Sequence, residues 1–126
     1  MAPISVTLAR RNPPAAVVAL VGEHDAYSSE RLENELSVLL EGGQRIVVDL
    51  RDTDFLDSTT LGVLLNTRRQ AEQKGLGFAL VLPDDEFAQV HQILRLTGLG
   101  SRFVSFTKVD DALNAVHHPG RSVEAA

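Results

Sequence analysis

The sequence predicts one α/β domain, in which helices flank a mixed, mainly parallel sheet and the elements follow the order ββαβαβαβα. The chain has 126 residues, which suits a single hydrophobic core. Apolar residues make up 44% and charged residues 23%, close to the average of globular domains. Short β-branched runs alternate with longer segments of helical spacing, and strand–helix–strand repetition places parallel strands in one sheet.

The first two elements are predicted strands that pair as an antiparallel hairpin. In Ile4–Leu8, apolar residues alternate with Ser5 and Thr7, the period of a strand with one covered face. The prolines of Arg10–Pro14 lack backbone donors, so this segment turns the chain. The second strand is Ala16–Val21.

The first helix is predicted after Gly22–Asp25. Ser28 and Ser29 are its candidate N-caps, because hydroxyl oxygens accept hydrogen bonds from the free N–H groups of a first turn. Four leucines then recur on one face, and Gly42-Gly43 ends the helix. These leucines are Leu32, Leu36, Leu39 and Leu40.

The middle of the chain predicts two buried strands and the helix between them. Ile46–Leu50 is almost uninterrupted by polar residues, which is typical of a central strand covered on both faces. A second helix begins near Asp57 or Ser58 and ends at Gly75. Phe78–Leu82 is the next buried strand.

Two further helices and a short strand complete the predicted domain. Pro83–Glu86 opens the third helix, and Gly98 and Gly100 end it. Phe103–Phe106 is the short strand. Asp110 or Asp111 caps the last helix.

Composition and charge limit the classes of partner and compartment. We assign residues 1–116 to the domain and expect the polar tail 117–126 to be disordered. A net charge of −5 disfavours nucleic acids and anionic membranes. The absence of Cys excludes disulfides and thiolate chemistry. Because neither a leader pattern nor an apolar run of about 18 residues is present, we expect a cytoplasmic protein without a membrane span.

The densest group of functional side chains lies in residues 52–62, between a buried strand and a helix start. Sites of α/β sheets form beyond the carboxyl ends of strands, and the free N–H groups of a helix start partly compensate a phosphate. Ser58 is the best-placed hydroxyl. The simpler interpretation, that Asp57 or Ser58 only caps the helix, stays open at this point.

The octet Phe55–Gly62, which reads Phe-Leu-Asp-Ser-Thr-Thr-Leu-Gly, resembles the signature of STAS domains, the sulphate-transporter and anti-sigma-factor-antagonist family. The usual form is an apolar pair, Asp-Ser, Ser or Thr, Gly, an aliphatic residue and Gly. Gly22–Asp25 is similar to the family's Gly-Glu-x-Asp, and Val47–Leu50 and Gly98–Gly100 also fit. The resemblance runs from about Ile4 to Val116 and implies a STAS-like fold.

The resemblance implies an anti-sigma factor antagonist that is not itself an enzyme. In this family, a partner that is both anti-sigma factor and serine kinase binds the unphosphorylated domain, which frees a sigma factor, and phosphorylation abolishes the docking until a serine phosphatase restores it. Ser58 is the implied acceptor. A phosphoryl group beside Asp57 adds about −1.5 to −2 charges, which repels an interface. The implied partner contacts are Asp25, Asp57, Thr59, Thr60, Leu61 and Gly62.

One residue departs from the family pattern. Thr60 stands where Gly is usual, and a β-branched side chain there would hinder the close approach of a partner backbone. Thr59 and Thr60 are also alternative acceptors. A second function therefore stays open, that of a structural STAS subunit of a lipid-transport ABC assembly or a stress-signalling scaffold that docks constitutively.

Other chemistries have weaker support in the sequence. Asp49, Asp52, Asp54 and Asp57 are similar to the magnesium pocket of response regulators, but the paired acidic residues near the first strand end are absent. The four histidines, at positions 24, 91, 117 and 118, lack ligand spacing, and we expect them at the surface. A serine hydrolase needs Gly-x-Ser-x-Gly, and neither glycine surrounds Ser58. We therefore expect no metal, no cofactor and no catalytic residue.

Overall fold

The computed structural model describes residues 3–117, which form seven strands and four α-helices. The strands are β1 (Ile4–Arg11), β2 (Pro14–Leu20), β3 (Gly22–His24), β4 (Arg45–Asp49), β5 (Thr53–Leu56), β6 (Phe78–Val81) and β7 (Ser105–Phe106). The helices are α1 (Ala26–Glu41), α2 (Ser58–Gln73), α3 (Gln89–Thr97) and α4 (Val109–His117). A 3-10 turn at Gly100–Arg102 precedes β7.

The main sheet has the order β1-β2-β4-β6-β7 and confirms the predicted mixed, mainly parallel arrangement. β1 and β2 form the antiparallel hairpin, with Ile4 opposite Leu20. The pairs β2–β4, β4–β6 and β6–β7 are parallel. β4 is the central strand, and Ile46, Val47 and Val48 are fully buried, as the unbroken apolar run predicted.

The core lies on both faces of this sheet. On one face, α1, α2 and α3 cover alternate residues of the central strands, among them Val18, Ile46 and Leu80. On the other face, α4 packs on Val47 and Ala79. Successive strand residues point to opposite faces, so each strand contributes to both layers. The prediction that helices flank the sheet is confirmed.

Two short strands were not expected from the sequence. β3 and β5 pair in parallel as a second, two-stranded sheet, with His24 opposite Leu56. Val21 alone separates β3 from β2, and the Gly22 amide donates to the Asp52 carbonyl oxygen over 3.0 Å. These strands therefore extend β2 and β4 past the carboxyl edge of the main sheet. β3 has three residues and β5 has four, which are too few for the alternation of a strand to be recognised in the sequence.

The predicted start of the third helix at Pro83–Glu86 is wrong, because α3 begins at Gln89. Asp85 holds the preceding segment in a turn: its Oδ1 accepts from the Phe87 amide over 2.9 Å, and its carbonyl oxygen accepts from the Ala88 amide over 3.0 Å. An Asp that binds its own backbone two residues on stabilises a turn in place of a helix. The predicted end at Gly98 is confirmed, with a left-handed φ of 69°.

The ends of the chain are described only in part. The expected tail, 117–126, lies outside the described residues except for His117, which is the last residue of α4. Across residues 3–117, no helix combines the length and the apolar character that a membrane span requires.

Candidate phosphorylation and docking site

Two helices start side by side at the carboxyl edge of the sheet. α1 follows β3 and α2 follows β5, and these strands are direct neighbours. The Asp57 amide donates to the His24 carbonyl oxygen over 3.2 Å, which joins the two turns. The positive ends of two helix dipoles therefore share one small region of the surface.

Asp57 is the N-cap of α2, and this leaves Ser58 without a capping role. The Oδ1 atom of Asp57 accepts from the Thr60 amide over 2.8 Å. Ser58 is the first residue of the helix and is exposed. Among residues 3–117, no side chain or backbone group is hydrogen-bonded to its hydroxyl. Asp57 is therefore the residue that caps α2, and the Ser58 hydroxyl is exposed at the surface.

Asp25 caps α1, so the predicted caps Ser28 and Ser29 are wrong. Asp25 Oδ1 accepts from the Tyr27 amide over 3.0 Å, and the Asp25 amide donates in return to Ser28 Oγ over 3.2 Å. The helix starts three residues earlier than Ser29 because β3 ends at His24 and the chain turns at once. Both serines are buried, whereas Asp25 is exposed beside the start of α2.

Thr60 and Leu61 face the interior. Thr60 is fully buried, and its Oγ1 donates to the carbonyl oxygens of His24 over 3.3 Å and Asp25 over 3.4 Å. Leu61 is 1% exposed and packs in the core beneath α2. In this conformation their side chains are not available to a partner, whereas Asp25, Thr59 and Gly62 are exposed. Thr60 instead ties α2 to the turn that precedes α1.

Thr59 and Gly62 are exposed and lie near Ser58 on α2. Gly62 is four residues after Ser58, so the two share one face of the helix. A Cβ atom at Gly62 would meet no atom within 4 Å. Packing inside the chain therefore does not require glycine here, and the surface beside Ser58 is bare.

His24 is a buried titratable group beneath the site, so the expectation that it lies at the surface is wrong. It is fully buried, with Nε2 3.1 Å from the Val21 carbonyl oxygen and Nδ1 3.2 Å from Ser28 Oγ. A carbonyl only accepts, so the neutral ring carries its proton on Nε2. Burial lowers the pKa of His24, and the Val21 carbonyl and the Asp25 charge oppose this effect.

Gln89 is a second residue that sequence analysis missed. Its Oε1 accepts from the Leu56 amide over 2.7 Å, and its Nε2 donates to the Leu56 carbonyl oxygen over 2.9 Å. The side-chain amide thus occupies the free edge of β5 as a neighbouring strand would. It fixes the residue just before Asp57 and so holds the start of α2 from the α3 side. A lone polar residue at a helix start gives no pattern from which this could be foreseen.

The acidic residues of this edge do not converge on one point. Asp49 binds the Arg51 guanidinium through both carboxylate oxygens, at 3.0 and 2.9 Å. This pairing raises the pKa of Arg51. Asp57 is used as a cap, while Asp52 and Asp54 are exposed. In the part of the chain described, no group of three potential ligands is arranged to hold a metal ion.

Comparison with known proteins decides the family. A model of the STAS domain matches residues 7–112, most of the chain. The chain belongs to the STAS domain family. This match contains the octet around Ser58 and both helix starts, so the sequence resemblance is confirmed.

Curated relatives of this STAS domain are anti-sigma factor antagonists. It is 33% identical to the anti-sigma-B factor antagonist of Bacillus subtilis (strain 168) over 66 residues, which span 52% of this chain and 61% of the relative. It is 30% identical to the anti-sigma F factor antagonist of Paenibacillus polymyxa over 102 residues, 79% of this chain and 82% of the relative. Their names describe regulatory binding proteins.

Solved structures share the fold. An anti-sigma factor antagonist from Mycobacterium paratuberculosis superposes with a TM-score of 0.75 at 28% identity, covering 91% of this chain and 95% of that chain. The antagonist SpoIIAA in its unphosphorylated form gives a TM-score of 0.70 at 19% identity, covering 91% and 98%. The Bacillus protein SpoIIAA in its phosphorylated form gives 0.68 at 21% identity, covering 90% and 99%. The last two comparisons concern the fold alone.

Proposed function

We propose that this STAS domain is an anti-sigma factor antagonist whose docking is switched by phosphorylation of Ser58. The observation that carries the proposal is the free, exposed Ser58 hydroxyl at the start of α2, where Asp57 already provides the cap. A kinase needs a hydroxyl that is accessible and not engaged in the fold. The names of the curated relatives support an anti-sigma factor as the partner.

The electrostatics of the helix start support a local switch. A phosphoryl group on Ser58 adds about −1.5 to −2 charges next to Asp57 and near Asp25. The free amides and the dipole of α2 stabilise this charge within the domain. A partner that docks on the same surface meets repulsion and loses contact. Phosphorylation therefore ends docking and leaves the fold intact, and a serine phosphatase reverses it.

Two observations bear on the alternatives that the sequence left open. Thr59 is exposed and is a possible acceptor by access alone, whereas the Thr60 hydroxyl is buried and bound to two carbonyl oxygens. Thr60 favoured a constitutive assembly subunit because its side chain was expected to obstruct a partner. Since its side chain faces the interior, that argument has no support here, and we retain the antagonist function.

The test is phosphorylation in a defined system. The purified chain is incubated with ATP and each anti-sigma factor kinase of the same genome, and the modified residue is mapped by peptide mass spectrometry. We expect one phosphate on the wild type and on Thr59→Ala, and none on Ser58→Ala. If Ser58→Ala is phosphorylated at the wild-type rate, Ser58 is not the switch.

A further inference from the structure

Three aromatic side chains are exposed at the same edge of the domain as Ser58. Tyr27 is 90% exposed, Phe55 40% and Phe87 75%. The sequence has only one Tyr and five Phe, so half of its aromatic residues are on this surface. The others, Phe78, Phe103 and Phe106, pack in or against the core. Aromatic residues are enriched at the centres of protein interfaces and are otherwise mostly covered.

The fold brings the segments that carry these aromatic residues to one edge. Tyr27 is in the first turn of α1, and Phe55 is on β5, whose neighbour β3 leads into α1. Phe87 lies two residues before Gln89, whose side chain is bonded to Leu56 at 2.7 and 2.9 Å. We call Tyr27, Phe55 and Phe87 the aromatic edge. It borders the start of α2 on both sides.

The charge around the aromatic edge is mostly negative. Residues 21–30, 52–67 and 83–94 hold nine of the 17 acidic residues and none of the 12 Lys and Arg. Glu23 is directly opposite Phe55 in the strand pair, and Asp85 and Glu86 precede Phe87. Two guanidinium groups lie nearby. That of Arg51 is bound by Asp49 at 2.9 Å, and that of Arg95 donates to the Glu86 carbonyl oxygen over 3.1 Å. Exposed apolar side chains with an acidic border are complementary to a partner surface that has an apolar centre and a basic border.

From this arrangement we infer that the aromatic edge extends the docking surface toward α3 and binds a protein face where Lys and Arg surround an apolar pocket. The inference rests on the proposed function, because Ser58 lies at the centre of the same surface. A second copy of this chain would bring acidic borders together and is disfavoured by repulsion. The same charge repels nucleic acids and anionic lipid.

The first test compares two exposed apolar residues, one just before α3 and one near its end. Phe87→Ala removes one aromatic side chain of the edge, and Leu96→Ala is the matched control, because Leu96 is 87% exposed near the far end of the helix. Binding to purified anti-sigma factors of the same genome is measured by calorimetry. We expect Phe87→Ala to weaken binding at least about fivefold and Leu96→Ala less than about twofold. Equal affinities for the two variants would overturn the inference.

The second test reverses one charge at the edge and one elsewhere. Glu86→Lys changes the acidic border, while Asp111→Lys makes the same change on α4, on the opposite face of the sheet. We expect only Glu86→Lys to weaken binding, and we expect its effect to shrink as salt is raised. Equal effects of both variants, or self-association of the wild type that Phe87→Ala abolishes, would overturn the inference.

Ser58→Asp in the same titrations separates the two proposals. If Ser58→Asp loses binding while Phe87→Ala and Glu86→Lys keep it, the antagonist function stands and the aromatic edge is not part of the interface. If the wild type binds none of the anti-sigma factors, the antagonist function fails, and the inference that rests on it fails too.

Discussion

The Thr60 hydroxyl donates to the His24 carbonyl oxygen over 3.3 Å and so connects the start of α2 to the turn that begins α1. The Asp57 amide reaches the same carbonyl oxygen over 3.2 Å. The two capping residues, Asp25 and Asp57, are thereby held next to each other. A partner that docks across both helix starts therefore meets a preformed surface, which reduces the ordering cost of binding.

Replacement of Thr60 tests this connection. Thr60→Val keeps the shape and removes the hydroxyl, which should cost about 1 kcal/mol of unfolding free energy. Thr60→Gly also loses a buried methyl group and helix propensity, so we expect about 2 kcal/mol. Thr59→Gly on the exposed neighbour is the control and should cost about 0.5 kcal/mol. Urea unfolding measures all three, and equal costs for Thr60→Gly and Thr59→Gly would contradict the account.

The lowered pKa of His24 predicts acid sensitivity. The native state favours the neutral ring, so below 6.5, the ordinary pKa of histidine, the unfolded chain binds more protons than the folded one. The stability from His24 is complete above that pH and is lost as the pH falls toward the lowered value. We compare urea midpoints at about pH 7.5 and about pH 5.5 for the wild type and His24→Leu. The wild type should lose more stability on acidification, and parallel losses would refute the prediction.

Gly62→Ala separates a structural from a binding role for this glycine. A Cβ there meets no atom of the chain, and alanine favours the helix, so the unfolding free energy should rise by about 0.5 to 1 kcal/mol. The affinity for an anti-sigma factor should fall, because the methyl group covers the surface beside Ser58. Asn66→Ala, one turn further on, is the control. If Gly62→Ala binds as well as the wild type, the bare surface has no role in docking.

Gln89→Ala tests the support of α2 from the α3 side. Loss of the Gln89 side chain leaves the Leu56 amide and carbonyl without their partner, which should lower the unfolding free energy by about 1 to 3 kcal/mol. Amide hydrogen exchange at Leu56 should accelerate by more than that at the core residue Val48. Gln92→Ala on the exposed side of α3 is the control. Unchanged exchange at Leu56 would show that Gln89 does not hold this strand edge.

Much of the fold was predictable because the relevant patterns are long. The apolar runs at Ile46–Leu50 and Phe78–Leu82 contain too many consecutive apolar residues for an exposed turn. The structure has a buried strand in each of them. The starts of α1 and α3 were placed wrongly because competing local signals occur in each segment. At Ser28, an earlier Asp caps the helix, and at Pro83–Glu86, Asp85 favours a turn.

The candidate site was predictable in its location but not in its internal contacts. The octet located Ser58 at a helix start, as the structure has it. The burial of Thr60 has a signal in the sequence, because Thr60, Leu64 and Ala71 fall on one helical face. The role of Gln89 depends on a contact with Leu56, which is distant in the chain and is not contained in any local pattern. His24 bonds to the nearby Val21 and Ser28, but its burial depends on how the helices pack.

Control of docking by the charge on Ser58 is tested by calorimetric titration of one purified anti-sigma factor with four forms of the chain. Ser101→Asp is the control, since Ser101 is exposed outside this edge and receives the same charge. We expect wild-type affinity within about twofold for Ser58→Ala and Ser101→Asp, and a loss of at least about tenfold for Ser58→Asp. Equal binding by Ser58→Ala and Ser58→Asp would contradict it.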